Sequence, residues 1–112
     1  MCTEAQLSRI TKAMVECYRV VYGDDIVEIV LYVSYARGDY AEDSDIDIAA
    51  VVHGSREELQ EKLKAVWDVS AELGVENDII VSPTVIPYEE FMKYKQTLPY
   101  YRNIAEEGQK IG

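Results

Sequence analysis

Residues 34–48 read Ser-Tyr-Ala-Arg-Gly-Asp-Tyr-Ala-Glu-Asp-Ser-Asp-Ile-Asp-Ile, and this stretch decides how the chain is interpreted. Its last part places Asp45 and Asp47 two positions apart at the beginning of an apolar run. Alternate side chains of an extended strand share a face, so the two carboxylates are expected roughly 6.5 Å apart along it. Two carboxylates this close repel each other unless a cation lies between them, and Mg²⁺ is the usual hard cation for oxygen ligands. The pair therefore predicts a divalent-metal site, and a solvated acidic pair at a strand edge is the alternative.

Apolar periodicity and turn residues around this stretch predict an α/β domain. The predicted elements are, in order, a helix over 7–21 that ends near Gly23, a strand over 26–32, a short helical turn over 34–37 stopped by Gly38, a strand over 46–52, a helix over 55–74, a strand over 75–82 stopped by Pro83, and two short helices over 87–97 and 99–107. This order indicates a small mixed β-sheet flanked by helices, an α/β (α+β) fold.

The long central helix has a clear beginning in the sequence. Ser55 and Glu58, three residues apart, form a capping-box signature. Four apolar residues then recur at helical spacing and are expected to face the core: Leu59, Leu63, Val66 and Trp67. Gly74 is the expected end of the helix.

Composition limits the class of protein. The chain has 112 residues, of which 48% are hydrophobic and 29% charged, as in an ordinary globular protein. This length predicts one domain over residues 1–112. No run approaches the roughly 20 apolar residues of a membrane span, and the N-terminus lacks a signal-peptide pattern. Cys2 and Cys17 have no metal-binding spacing, so both are expected to be reduced thiols in the cytoplasm.

The charge of the chain restricts its partners. There are 21 acidic and 11 basic residues, which gives a formal net charge of -10. Binding to a nucleic-acid backbone requires a stripe of lysine and arginine, and the sequence has none, so nucleic acid is disfavoured. A free nucleotide carried by Mg²⁺, or a basic protein, fits the charge better. Acidity that only keeps the domain soluble is the alternative.

The motif carried by residues 33–38 (Val-Ser-Tyr-Ala-Arg-Gly) and 44–48 (Ser-Asp-Ile-Asp-Ile) resembles the signature of a known superfamily. It is similar to the nucleotidyltransferases that include DNA polymerase β, in their minimal bacterial and archaeal form. Val33 stands where that family has glycine. Residues 101–108 also resemble the tail of minimal nucleotidyltransferases, so the resemblance spans most of the chain and implies a polymerase β-like palm fold.

This resemblance implies transfer of a nucleoside monophosphate from a triphosphate, with ATP as the favoured donor. Such a displacement uses two divalent ions bridged by carboxylates. Asp45 and Asp47 match the bridging pair, with Mg²⁺ expected and Mn²⁺ as a substitute. Asp78 is the candidate third carboxylate, which would complete the metal shell and accept the proton of the attacking hydroxyl. The alternative for Asp78 is a polar residue that opens a strand.

The phosphate-binding part of the signature lies just before the aspartates. Ser34 occupies the family position at the start of a short helix, where backbone N–H groups and a hydroxyl favour an anion. Val33 replaces the glycine that precedes it. Arg37 lies one helical turn farther on and is interpreted either as a phosphate contact or as a structural residue. These three residues form the predicted nucleotide-binding set.

The same resemblance bears on partners. Minimal nucleotidyltransferases often occur beside HEPN-domain proteins in toxin–antitoxin modules, which implies an antitoxin that transfers AMP to a hydroxyl of its partner. The opposing interpretation is a catalytically impaired member that acts as a non-enzymatic binding module, because Val33 departs from the signature. Whether the chain forms a homo-oligomer is left open by the sequence.

An aromatic cluster in the last third of the chain has two interpretations. It consists of Tyr88, Phe91, Tyr94, Tyr100 and Tyr101. It either covers the core or a partner surface, or it forms a platform on which a base stacks.

Overall fold

The computed structural model describes residues 4–34 and 45–112, and within these ranges the side chains of Val33, Ser34 and Asp45 are not described. Its elements are α1 (Glu4–Tyr22), a single 3-10 turn (Gly23–Asp25), β1 (Ile26–Ser34), β2 (Asp45–Val52), α2 (Arg56–Asn77), β3 (Ile80–Pro87), α3 (Tyr88–Tyr94), α4 (Pro99–Glu107) and β4 (Gln109–Lys110).

The four strands form one mixed sheet in the order β3-β2-β1-β4. β1 pairs antiparallel with β2 on one side and with β4 on the other. β2 pairs parallel with β3, and α2 makes the crossover that a parallel connection requires. The predicted mixed sheet flanked by helices is therefore confirmed.

The sheet is covered on both faces, and strand alternation decides which residue faces which layer. On one face α1 and α2 pack on the sheet through a cluster that includes Met14, Tyr18, Leu31, Ile48 and Val66. On the other face α3 and α4 cover a smaller cluster, composed of Val30, Ala49, Val51, Ile86, Phe91, Tyr101 and Ile104 with Tyr88 and Tyr94 packed at its edge. Four of the five aromatic residues predicted as a cluster thus contribute to this second core.

Several predicted boundaries agree with the structure. α1 ends at Tyr22 just before Gly23, and α3 and α4 occupy the region predicted for two short helices. Ser55 is the N-cap of α2, and its side chain accepts a hydrogen bond from the backbone N–H of Glu58 at 3.3 Å. None of the helices in the described ranges is long and apolar enough to cross a membrane.

The predicted boundary between α2 and β3 is wrong. α2 continues past Gly74 to Asn77, and β3 begins only at Ile80. Asp78, rather than Gly74, adopts the left-handed conformation that ends the helix, with φ of 53°. Position 74 has no room for a larger side chain, because a Cβ there would lie 2.7 Å from the Ile79 carbonyl oxygen.

Three further expectations are corrected. β3 runs through Pro83 to Pro87, because β3 is an edge strand and a proline is tolerated where one side of the strand is unpaired. Trp67 is 48% exposed, because the buried ridge of α2 passes through Val66 and Ser70 and leaves the indole at its margin. Ser34 is the last residue of β1 rather than the start of a helix, and residues 35–37 lie outside the described part of the chain.

Candidate active site

Asp47 lies at the centre of the candidate site, on the second strand of the chain. The β-ladders place it between Tyr32 of β1 and Ser82 of β3. Ala49 and Val51 share its face by strand alternation, and both are buried in the cluster under α3 and α4. Asp47 therefore projects on the α3–α4 face of the sheet, where it is partly buried.

Asp45 is the first residue of β2 and precedes Asp47 by two positions. Its backbone pairs with Ser34 of β1 and with Ile80 of β3. The strand extends through both aspartates, so the backbone geometry that turns them to a common face is present. The side chain of Asp45 itself is outside the described set.

Two tyrosines flank Asp47 on the same face. The Tyr32 hydroxyl donates to Oε2 of Glu107, at the end of α4, over 3.5 Å. The Tyr100 hydroxyl, at the beginning of α4, donates to Oγ1 of Thr84 over 3.4 Å. Thr84 pairs with Ala49 in the β2–β3 ladder, one step beyond Asp47 on the same face. The two ends of α4 thus lie on opposite sides of Asp47.

The electrostatics agree with this proximity. Burial raises the pKa of the Tyr100 phenol, the hydrogen bond with Thr84 opposes that rise, and the negative charge of Asp47 adds to it. Tyr100 is nevertheless 37% exposed, so its side chain reaches both the site and the solvent. A group in this position can contact a ligand bound beside Asp47.

The floor of the site is supported from the opposite face by Tyr18. Its hydroxyl donates to the Ile48 carbonyl oxygen over 2.6 Å and accepts from the Thr84 N–H over 3.2 Å. Tyr18 is fully buried, and burial raises the pKa of its phenol far above the ordinary range. The phenol therefore stays neutral and joins β2 to β3 beside the residues that flank Asp47.

Asp78 lies elsewhere. It caps the C-terminus of α2, two residues before β3, and contributes to an open groove of about 650 Å³ between α2 and β3. That groove is also lined by Trp67 and Val75. The β3 residue beside Asp47 is Ser82, so the ladder brings a hydroxyl, rather than the Asp78 carboxylate, next to Asp47.

Comparison with known proteins identifies the family. The model of the nucleotidyltransferase domain family matches residues 7–111. The chain belongs to this family. It is an enzyme of the nucleotidyltransferase class, as the Ser34 to Ile48 motif predicted.

Curated relatives agree with this assignment. Two proteins of Methanocaldococcus jannaschii, MJ0604 and MJ0141, carry names that provisionally assign them as protein adenylyltransferases. The nucleotidyltransferase described here is 33% identical to MJ0604 over 89% of this chain and 92% of the relative. It is 29% identical to MJ0141 over 83% of this chain and 84% of the relative. No solved structure matches the chain.

The phosphate-binding residues predicted for this nucleotidyltransferase are only partly described. Ser34 ends β1 and its backbone pairs with Asp45, so the predicted phosphate grip begins directly beside the aspartate pair. Val33 pairs with Ile46 in the same ladder. Within the two described ranges Asp78 is the one non-glycine residue with positive φ, so Val33 does not occupy a backbone conformation that requires glycine. Arg37 lies outside those ranges.

The donor atoms near Asp47 suit a hard divalent cation. Carboxylate oxygens from a single strand and the nearby Ser82 hydroxyl are ligand types that Mg²⁺ and Mn²⁺ accept. Among the described side chains, which omit Asp45, no group of three or more His, Cys, Asp or Glu residues is placed to hold a metal ion. The chemistry of the donors fits a metal, and the aspartate pair is the part of the chain that would hold it.

Sequence patterns alone did not indicate several residues of the site. Tyr32, Ser82 and Thr84 become neighbours of Asp47 only through strand register, which no local pattern specifies. Glu107 is brought there by the packing of α4, which also places Tyr100, a member of the aromatic cluster named from the sequence, beside the site. For Glu107 one signal was available in the sequence, because this residue belongs to the tail, residues 101–108, that resembles minimal nucleotidyltransferases.

Proposed function

We propose that this nucleotidyltransferase catalyses the Mg²⁺-dependent transfer of AMP from ATP to a hydroxyl group of a partner protein. The hydroxyl oxygen would bond to the α-phosphorus, the bond from that phosphorus to the oxygen bridging to the β-phosphate would break, and pyrophosphate would leave. The observation that carries the proposal is the position of Asp45 and Asp47 at the start of β2, directly after the predicted phosphate-binding segment. The two curated relatives named as protein adenylyltransferases support the choice of AMP and of a protein acceptor.

In this proposal Asp45 and Asp47 would hold the divalent ions, and the ions would supply neutralisation of phosphate charge and acidification of the attacking hydroxyl. Mg²⁺ is the expected ion, two ions are expected, and Mn²⁺ is the expected substitute. Asp47 is partly buried, with Tyr32 and Ser82 as its neighbours on the adjacent strands and Tyr100 close enough to interact electrostatically, so its carboxylate projects on one face of the sheet. This restraint favours a fixed position of the carboxylate during the reaction.

Ser34, Arg37 and the backbone at Val33 are proposed to bind the triphosphate. The position of Ser34 at the end of β1 supports this role, because its backbone pairs with Asp45. The hydroxyl and the guanidinium are both donors suited to phosphate oxygens. Binding there would bring the α-phosphate toward the ions held on β2.

Asp78 is retained as the proposed third carboxylate, which would accept the proton of the attacking hydroxyl. Its place at the α2 C-terminus, two residues before β3, means that this role requires the connection to approach β2 when substrates bind. The residue is therefore tested separately from the aspartate pair. If Asp78 completes the metal shell and accepts the proton, Asp78→Asn should abolish transfer and weaken, without removing, the metal-dependent stabilisation, because the aspartate pair would still hold the ions.

The acceptor is proposed to be a HEPN-domain partner protein, with this chain acting as an antitoxin. The net charge of -10 favours a basic protein surface over a nucleic acid. The decisive experiment incubates the chain with α-labelled ATP, Mg²⁺ and the protein encoded by the neighbouring gene, and follows the mass of that protein. Gain of one AMP, lost with Asp47→Asn, is the expected result.

A second candidate function is a non-enzymatic module that binds and occupies its partner. It is favoured by the hydroxyl of Ser82, which stands beside Asp47 where a further carboxylate on β3 would have completed a metal shell. A tight complex whose mass does not change with any nucleotide would establish this function and contradict AMP transfer.

A further inference from the structure

α4 runs across the sheet immediately beside Asp47. Its first turn contacts β3 through Tyr100 and Thr84, and its last residue contacts β1 through Glu107 and Tyr32. Tyr32 is the direct partner of Asp47 in the β1–β2 ladder. The helix therefore spans the width of three strands at the level of the aspartate and forms a wall on one side of it.

Helical geometry determines which residues of α4 form this wall. Tyr101 and Ile104 are buried and point toward the core of the sheet. Tyr100, Asn103 and Glu107 are spaced i, i+3 and i+7, so they lie along one flank of the helix. Both ends of this flank touch the strands beside Asp47, and the exposed Asn103 lies between them.

The chemistry of this flank fits a nucleoside better than a phosphate. It offers a phenol, an amide and a carboxylate, and no cation. The nearest basic residue of α4, Arg102, lies on another side of the helix and pairs with Glu106 at 3.4 Å. An aromatic ring can stack on a base, and an amide can hydrogen-bond to base or ribose, whereas a carboxylate would repel phosphate oxygens.

We propose that the flank of α4 formed by Tyr100, Asn103 and Glu107 contacts the base and ribose of the bound nucleoside triphosphate. The proposal rests on the nucleotidyltransferase function proposed above and assigns the nucleoside part of its substrate to this flank. In the resulting arrangement the nucleoside lies along this flank, and Tyr100 holds the base over the Thr84 side of the site.

The test compares the affinities of three ligands in the presence of Mg²⁺: ATP, adenosine and inorganic tripolyphosphate, each measured by titration calorimetry on the full chain. Tyr100→Ala should weaken ATP and adenosine binding by about tenfold, in the range found for loss of one stacked base. It should leave the affinity for tripolyphosphate unchanged. Tyr100→Phe keeps the ring and should retain most of the affinity.

Asn103→Ala provides a second variant whose folding is secure, because Asn103 is exposed. Loss of one hydrogen bond should weaken ATP and adenosine by about threefold to tenfold, again without a change for tripolyphosphate. Tyr94→Ala is the matched control, since Tyr94 is a partly buried tyrosine on α3, outside the wall. The control should bind all three ligands like the wild type.

The outcomes separate this inference from the proposed function. Unchanged ATP affinity in both Tyr100→Ala and Asn103→Ala overturns the inference, as does an equal loss for ATP and tripolyphosphate. ATP binding that depends on Tyr100 without transfer of AMP supports the inference and contradicts the enzymatic function. A wild-type chain that binds none of the three ligands overturns both.

Discussion

Val33 replaces the glycine of the superfamily signature, and the backbone of this residue is extended and paired with Ile46. Backbone strain at this position is therefore not the source of any effect that the valine has on nucleotide binding. We expect Val33→Gly to tighten ATP binding about tenfold, which corresponds to about 1.4 kcal/mol. The free energy of unfolding should fall by roughly 0.5–1 kcal/mol, because glycine weakens a strand. Calorimetry and urea unfolding measure the two effects, and unchanged affinity would make the valine a tolerated variant.

Paired aspartates make a second residue-level prediction. With ATP and Mg²⁺ at about one hundred times the dissociation constant, binding should stabilise the fold by about 2.7 kcal/mol. Asp45→Asn combined with Asp47→Asn should remove this stabilisation and raise the stability of the ligand-free protein slightly, since a like-charge repulsion is lost. Asp24→Asn with Asp25→Asn, an exposed pair in the 3-10 turn, is the matched control. Thermal melting with and without ATP and Mg²⁺ distinguishes the two double variants. If the variant at Asp45 and Asp47 still showed the full ligand-dependent rise in melting temperature, the metal assignment would be refuted.

The Tyr18 hydroxyl joins two strands through the Ile48 carbonyl and the Thr84 N–H. Tyr18→Phe leaves the buried Ile48 carbonyl and the partly buried Thr84 N–H without this partner, so the free energy of unfolding should fall by about 1–3 kcal/mol. Urea unfolding measures this loss. A change below about 0.5 kcal/mol, the ordinary range for surface substitutions, would show that the two groups find other partners.

Tyr22 gives the fold a specific sensitivity to alkaline pH. Burial, and then the charge of Cys17, raise the pKa of the Tyr22 phenol to about 12. In the unfolded chain this pKa is about 10, so between pH 10 and 12 the folded state binds the additional proton. The contribution of Tyr22 to the free energy of unfolding is therefore fully present below about pH 10. It is lost as the pH rises from 10 to 12, by up to about 1.4 kcal/mol per pH unit. In Tyr22→Phe the slope of unfolding free energy against pH should be smaller by this amount, and an unchanged slope would contradict it.

At the level of elements, the end of α2 offers a test of Asp78. Its φ of 53° lies in the left-handed region, which costs an L-residue roughly 1–2 kcal/mol and glycine almost nothing. We expect Asp78→Gly to raise the free energy of unfolding by up to about 1 kcal/mol. The variant also lacks the carboxylate, so a more stable protein that no longer transfers AMP would assign Asp78 to the chemistry. A more stable and fully active variant would assign it to the helix end alone.

At the level of the whole molecule, the net charge of -10 produces self-repulsion in the folded state. Raising NaCl from about 10 mM to about 150 mM shortens the Debye length from roughly 30 to 8 Å and should raise the melting temperature. Each kcal/mol gained corresponds to roughly 4–8 °C for a domain of similar size. At matched ionic strength, MgCl₂ should raise the melting temperature more than NaCl does only if the aspartate pair binds Mg²⁺. A melting temperature that falls with NaCl would mean that attractive ion pairs outweigh the repulsion.

The contributions of sequence and tertiary structure divide according to the range of the interactions. Local signals predicted α1, the first two strands, the Ser55 cap and the Asp-Ile-Asp pair, because periodicity and capping depend on residues within a few positions. They failed at the α2–β3 boundary, where α2 continues through Gly74 to Asn77 and Asp78 takes the left-handed conformation that ends it. Pro83 stays in β3 because the strand lies at the sheet edge.

The neighbours of Asp47 are decided by tertiary structure rather than by local sequence. Which residue of β3 lies beside it depends on the register of a parallel pair joined through the 22-residue helix α2, and that register places Ser82 there. Tyr100 and Glu107 reach the site because α4 packs across the opposite face of the sheet from α1 and α2. The sequence by itself determined the family and the aspartate pair, since both reside in contiguous residues. Only tertiary structure decided what surrounds that pair, because those contacts join residues that are distant along the chain.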